Sequence, residues 1–128
     1  MASTSDPGVA EALANDLVID ITTIGRSSGE AKRLEIWFHN VDDRYYITGR
    51  PGPRSWYANV LANPAITFHF KESTEADLEG TARAVTDAAE KRAFFLTARK
   101  LSEYINEDNV QEWVEGSPLI EVVFDERE

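Results

Sequence analysis

Apolar and β-branched residues crowd the stretch from Leu17 to Ile24 and predict a strand, closed by turn residues at Gly25 to Gly29. From Lys32 to His39 the pattern alternates. Leu34, Ile36 and Phe38 fall on one face, and Arg33, Glu35, Trp37 and His39 on the other, predicting a second strand with unlike faces. Asp42-Asp43 marks the next turn, Tyr45 to Gly49 a third strand, and these three strands read as an antiparallel meander. After Arg50-Pro51-Gly52-Pro53-Arg54, Ser55 is placed to cap a short helix that Pro64 stops near Asn63. Strands resume at Ile66 to Lys71, with Ile66, Phe68 and Phe70 inward, and at Leu78 to Val85. Asp87, with Glu90 three residues on, starts a helix whose buried side is Phe94, Phe95, Ala98 and Leu101. A further short helix at Val110 to Glu115 ends at Gly116, and Leu119 to Phe124 forms the last strand. Six strands interrupted by short helices predict a mainly β fold, a closed or nearly closed antiparallel barrel.

The expected organisation is one domain over residues 1–128, with a tail and short helix at 1–15 and a helical insertion at 86–116. Residues Met1 to Pro7 read as a loose end. The absence of cysteine excludes disulfides, thiolate metal sites and a cysteine nucleophile. With no signal-like start and no apolar run near the roughly 18 residues of a membrane span, a soluble cytoplasmic protein is expected.

Charge sharpens the picture. The chain carries 13 Lys and Arg against 23 Asp and Glu, a formal charge of −10, which argues against a nucleic-acid or anionic-membrane surface. Gly25 to Arg54 runs the other way, its six basic residues outnumbering four acidic ones for a net +2, which leaves −12 to the remainder. Such a segment is suited to a small anion. Within it, Gly25-Arg26-Ser27-Ser28-Gly29 with Lys32 and Arg33 has the makings of a phosphate nest, although Gly and Ser populate ordinary hairpins too. Gly49 to Ser55 sets Arg50 and Arg54 beside a helix N-terminus, a second place for an anion. Trp37, Trp56 and Tyr57 stand near these turns and are suited either to flank a flat ring or to fill a core.

Other chemistries find less support. His39 and His69 read as exposed strand histidines, and two histidines without a third ligand do not make a metal centre. Ser27, Ser28 and Ser55 lack a nucleophile-elbow context, and neither histidine has an evident orienting acid in the sequence.

The stretch Ile21-Thr22-Thr23-Ile24-Gly25-Arg26-Ser27-Ser28-Gly29, the strand through Trp37, the run Tyr46-Ile47-Thr48-Gly49-Arg50, and Trp56-Tyr57-Ala58-Asn59 through Ala62-Asn63-Pro64 together resemble the deazaflavin-dependent nitroreductase family. The resemblance covers Ile21 to Phe70 and the closing strand, and implies an FMN-binding-like split β-barrel. It implies an oxidoreductase using the deazaflavin coenzyme F420, whose phosphate and glutamates ask for a basic cradle. FMN, held by the same barrel, is the alternative cofactor, and a carrier that binds either without turnover is the alternative role. By the resemblance, Arg26, Ser28 and Lys32 face the cofactor's phosphate and tail, and Trp37 lies beside it. Thr48, Gly49 and Arg50 meet its ring, Trp56 starts the helix that covers it, and Arg54 stands in for a basic residue of a longer loop. The implied reaction passes a hydride to an electron-poor quinone, enone or nitro compound, with Arg50, Tyr57 and Tyr104 as the catalytic candidates. The chain departs from the family at Glu35, where proline is common, and in having Tyr104, with Trp113 nearby, in place of a cluster of C-terminal tyrosines. A homodimer is expected, as is common for split barrels.

Overall fold

The computed structural model describes residues 3–125; Met1 and Ala2 of the expected loose end lie outside them. In the described part of that end, Asp6 folds back on Ser3 through both its amide and its carboxylate. In chain order the elements are α1 (Pro7–Asn15), β1 (Val18–Ile24), β2 (Ala31–Trp37), β3 (His39–Val41), β4 (Arg44–Thr48), α2 (Ser55–Ala62), β5 (Ala65–Phe70), β6 (Ala76–Ala84), α3 (Ala88–Thr97), a 3-10 turn (Arg99–Leu101), α4 (Val110–Gly116) and β7 (Leu119–Phe124).

The fold is mainly β, one antiparallel sheet with seven strands in the order β2-β1-β5-β6-β7-β4-β3. The two edge strands are consecutive in the chain and joined through Phe38 alone, so the sheet has to curl until its edges come together. One expectation is thereby corrected. The alternating run from Lys32 to His39 breaks at Phe38 into β2 and β3, giving seven strands instead of six. The expected succession of antiparallel hairpins holds, β1 pairing with β2 and β3 with β4, while β1 also pairs with β5 and β4 with β7. The Asp42-Asp43 turn holds, both residues having positive φ (53° and 62°), as a tight hairpin between right-twisted strands requires.

Alternation on β1 and β5 sends Ile19, Ile21, Ile66, Phe68 and Phe70 into the barrel, where α1 closes one end with Val9, Ala12 and Leu13. A second apolar cluster lies outside the barrel wall, where Phe94 and Phe95 of α3, Leu101, and Val110, Trp113 and Val114 of α4 pack on Tyr46, Val85 and Leu119. Asp87 caps α3 as expected, its carboxylate accepting from the Glu90 amide at 2.9 Å. Ser55 does not cap α2: the N-cap is Arg54, without a side-chain cap bond, and Ser55 is the first helical residue.

This outer layer explains the break at Phe38. Phe38 and His39 are consecutive and both buried, Phe38 in the barrel interior and His39 against the Phe94 ring at 5.6 Å. The Lys100 ammonium donates to the carbonyls of Phe38 (2.7 Å) and Asp16 (2.6 Å) and sits 4.2 Å from the Phe38 ring centre. It satisfies a main-chain acceptor where strand pairing lapses. Burial lowers its pKa to about 8, against the raising influence of Glu72 and Asp16.

Candidate active site

A cavity of about 350 Å³ opens between the barrel wall and the helical segment, lined by Ile36, Trp37, His39, Thr48, Gly49, Arg50, Leu101, Tyr104 and Trp113. Strand geometry puts these residues together. The end of β2, the start of β3 and the end of β4 lie where the curled sheet nearly closes, and the 3-10 turn, Tyr104 and α4 supply the opposite wall. Trp37, Thr48, Gly49, Arg50 and Tyr104, singled out from the sequence, are therefore neighbours around one space. The Arg50 guanidinium lies 5.1 Å from the Tyr104 ring centre, a cation–π contact spanning the two walls. The Thr48 hydroxyl is already committed, donating to the Pro118 carbonyl at 2.5 Å.

The remaining candidates lie elsewhere. Trp56 is buried in the barrel core, with Tyr57 edge-on at 6.0 Å between ring centres. Tyr57 and Arg54 line a separate cavity of about 500 Å³ with Lys91 and Ser117. The Arg54 guanidinium turns back on its own loop, donating to the carbonyls of Arg50 (3.1 Å) and Pro53 (3.0 Å), and a side chain at Gly49 would crowd it at 3.2 Å. Arg54 thus shapes the loop that presents Arg50.

Arg26 and Ser28 in the β1–β2 turn and Lys32 at the start of β2 are exposed, but most of the turn's main chain is engaged. The Gly25 amide donates to Glu30, that of Gly29 to Gly25, that of Glu30 to the Ser28 hydroxyl, and that of Arg26 to the Asn59 side chain. Positive charge here resides in the side chains. Of the six basic residues between Gly25 and Arg54, Arg33 is paired with Asp20 and Arg44 with Glu121. Lys32 lies 3.6 Å from Glu30, while Arg26, Arg50 and Arg54 make no ion pair among the described residues. Asn59, buried on α2, also donates to Thr23 at 3.2 Å and so ties this turn to the helix that follows the Arg50–Arg54 loop.

Both histidine expectations need correction. His39 is 3% exposed and lines the cavity; burial, reinforced by the Lys100 charge, lowers its pKa to about 3 and keeps the ring neutral. Its Nδ1 has no hydrogen-bond partner. The alternating pattern assigned it to a solvent face, because nothing in the local sequence tells that α3 covers that face. His69 does have an orienting acid, since its Nδ1 lies 2.8 Å from Asp77 and its Nε2 2.6 Å from the Thr22 hydroxyl. That trio spans β1, β5 and β6 on the outside of the sheet, away from the cavity. Among the described residues no three His, Asp or Glu side chains gather in a metal-binding group, and no helix is long and apolar enough to cross a membrane. Ile36, Leu101 and Trp113 complete the cavity wall; only the aromatic character of Trp113 was a signal in the sequence.

The sequence model of one family, described as F420H(2)-dependent quinone reductase, matches residues 2–126. No curated protein matches the chain. Among solved structures, a conserved hypothetical protein from Mycobacterium tuberculosis is 13% identical with a TM-score of 0.74, covering 95% of this chain and 81% of its own. An F420 reductase is 20% identical with a TM-score of 0.68, over 94% of this chain and 95% of its own. The heme storage protein from Vibrio cholerae is 13% identical with a TM-score of 0.66, over 95% and 91%. At these identities the structural likeness establishes the fold.

Proposed function

The chain belongs to the F420H(2)-dependent quinone reductase family and is an F420-dependent oxidoreductase; from that premise we propose that it reduces a flat, electron-poor acceptor of quinone, enone or nitro type in the cavity beside Arg50. The observation that carries this reading is the meeting of Trp37, Gly49, Arg50, Tyr104 and Trp113 around one space.

The residues present fit the cofactor. A cavity of about 350 Å³ with apolar and aromatic walls suits a ring system. The exposed, basic Arg26 and Lys32 suit a phosphate and carboxylates lying outside it. When bound, F420 supplies the hydride that makes the chemistry a two-electron reduction.

The chain's own residues do the rest. Trp37, Ile36, Leu101 and Trp113 exclude water from the reacting face. The Arg50 guanidinium, held over Tyr104, places a positive charge where negative charge develops during reduction. Of the two tyrosines considered as proton donors, Tyr104 lines this cavity and Tyr57 the other, which favours Tyr104. Arg26 and Lys32 anchor the anionic tail, with Ser28 holding the turn's shape through Glu30. We extend the reading to a homodimer in the cytoplasm, since the edge strand β2 has no outer partner among the described residues and Leu61 and Val123 are exposed.

Fluorescence titration with F420 and with FMN tests the proposal, followed by reoxidation of the reduced cofactor on adding menadione or a nitroaromatic. Salt-sensitive F420 binding that weakens in Arg26→Ala/Lys32→Ala, with acceptor-stimulated reoxidation, is the expected result. A preference for FMN, or F420 binding without faster reoxidation, overturns it. A monomer mass in sedimentation overturns the dimer.

A further inference from the structure

The two walls of the cavity come from distant parts of the chain, Trp37 and His39 from the β2–β3 break and Leu101 and Tyr104 from the helical segment. Apolar packing draws such walls together but has no direction, so it does not by itself set how they face each other. The outer wall is a hydrogen-bonded unit. The Leu101 carbonyl accepts from the amides of Tyr104 (2.9 Å) and Ile105 (3.0 Å), and the Leu101 amide donates to Ala98 (3.1 Å). These main-chain bonds stay within the segment, whereas Lys100 reaches the barrel. Its ammonium donates to the carbonyl of Phe38, the residue between Trp37 and His39, and to that of Asp16 at the α1–β1 junction, and it lies 4.2 Å from the Phe38 ring centre. Two directional bonds and a ring contact thus fix one atom against the barrel. The fixed residue directly precedes Leu101 and, through the Leu101 carbonyl, is linked to Tyr104.

We propose that Lys100 is a positioning residue for the electron acceptor: its ammonium pins the wall carrying Leu101 and Tyr104 to the barrel wall carrying Trp37 and His39, and so holds the cavity in the shape that receives the acceptor. The role rests on the reductase reading above, and Lys100 itself does not line the cavity. Its charge strengthens both bonds relative to a neutral donor. Burial lowers its pKa to about 8, against the raising influence of Glu72 and Asp16, so at pH 7 the group remains an ammonium. Without the pin, the outer wall stands away from the break in a fraction of the molecules. Acceptor affinity then falls with the fraction still seated, while saturating acceptor draws the wall back and restores turnover.

The test compares wild type with Lys100→Met, which removes the donors, and Lys100→Arg, which keeps a cation, at pH 7 and at a temperature where each is fully folded. Acrylamide quenching of tryptophan is measured without ligand, and KM and kcat for menadione with saturating reduced F420. The Met variant should be quenched more strongly, because Trp113, buried beside the cavity, is uncovered as the wall moves. Its KM should rise about ten-fold, the factor expected for loss of one charge-assisted hydrogen bond, with kcat within about two-fold of wild type. The Arg variant should recover part of the change in both quenching and KM. Unchanged quenching in Lys100→Met overturns the proposal, as does a fall in kcat at unchanged KM, which marks a smaller folded fraction. Equal changes in the Met and Arg variants overturn it too, since they mark a role for the stem's packing. Lys100→Gln, with a shorter and neutral donor, is read in the same way if the Met chain does not fold. Failure of the wild type to bind F420 or reduce menadione overturns the reductase reading instead, and quenching of the ligand-free variants then still decides whether Lys100 pins the wall.

Discussion

His39 shows how one side chain can tie stability to pH. Its imidazole is held neutral with a pKa of about 3, while in the unfolded chain it titrates near 6.5. Between these values the unfolded state takes up a proton that the folded state refuses. Stability is therefore fully present above pH 6.5 and is lost as pH falls, with a slope approaching about 1.4 kcal/mol per pH unit for one group. Glu121, Asp20 and Glu72 add losses of the same sign only lower down, because hydrogen bonds from Arg44, from Lys71 and from the amides of Val18 and Leu17 hold their carboxyls below the usual range. Denaturant melts of wild type and His39→Phe from neutral pH down to about pH 4.5 separate the two contributions. The wild type should weaken steadily over that interval and the variant much less; parallel curves would mean that His39 gains a proton in the fold as readily as outside it.

Elements were legible where one face decides their fate. Ile66, Phe68 and Phe70 alternate, and β5 buries them; Asp87 and Glu90 announce α3, and the cap forms. Reading failed where both faces are covered. Phe38 and His39 are buried on opposite sides of the wall, and a pattern that knows only apolar and polar sends His39 to solvent. Strand order was hidden for a related reason, since β1 meets β5 across the α2 connection and no local turn signals that pairing. The site divides in the same way. Thr48, Gly49 and Arg50 are contiguous and matched a family pattern, whereas Leu101 and His39 meet only because the helical segment folds back over the β2–β3 break. Asn59 is the clearest case of one element positioning another, bonding both the Arg26 amide and Thr23 from within α2. Replacing it by Ala leaves the buried Thr23 hydroxyl of β1 and the Arg26 amide of the turn without this partner, and should lower stability by about 1–3 kcal/mol. The turn carrying Arg26 would be released from α2, so F420 should bind several-fold more weakly in titrations at a temperature where the variant is fully folded. Wild-type affinity with lowered stability would show that Arg26 reaches the cofactor without this tether.

At the scale of the whole molecule, charge and site oppose each other. The protein carries −10 overall, yet the groups offered to an anionic cofactor, Arg26, Lys32 and Arg50, are basic and clustered in one segment. Long-range and short-range electrostatics should therefore separate in the kinetics of F420 binding. At about 0.01 M salt the screening length is about 30 Å, and an approaching anion feels the repulsion of the acidic surface; at about 0.15 M it is about 8 Å, and only the nearby basic side chains are felt. Adding salt across that range removes repulsion from the encounter and weakens the ion pairs of the bound state. The association rate should hold steady or rise, and the loss of affinity should appear in the dissociation rate, the reverse of an electrostatically steered partner. Stopped-flow fluorescence at the two salt concentrations measures both rates. An association rate that falls several-fold with salt would mean that the basic segment dominates the field at the site even at long range, and that the acidic remainder of the surface is too distant to govern how the cofactor arrives.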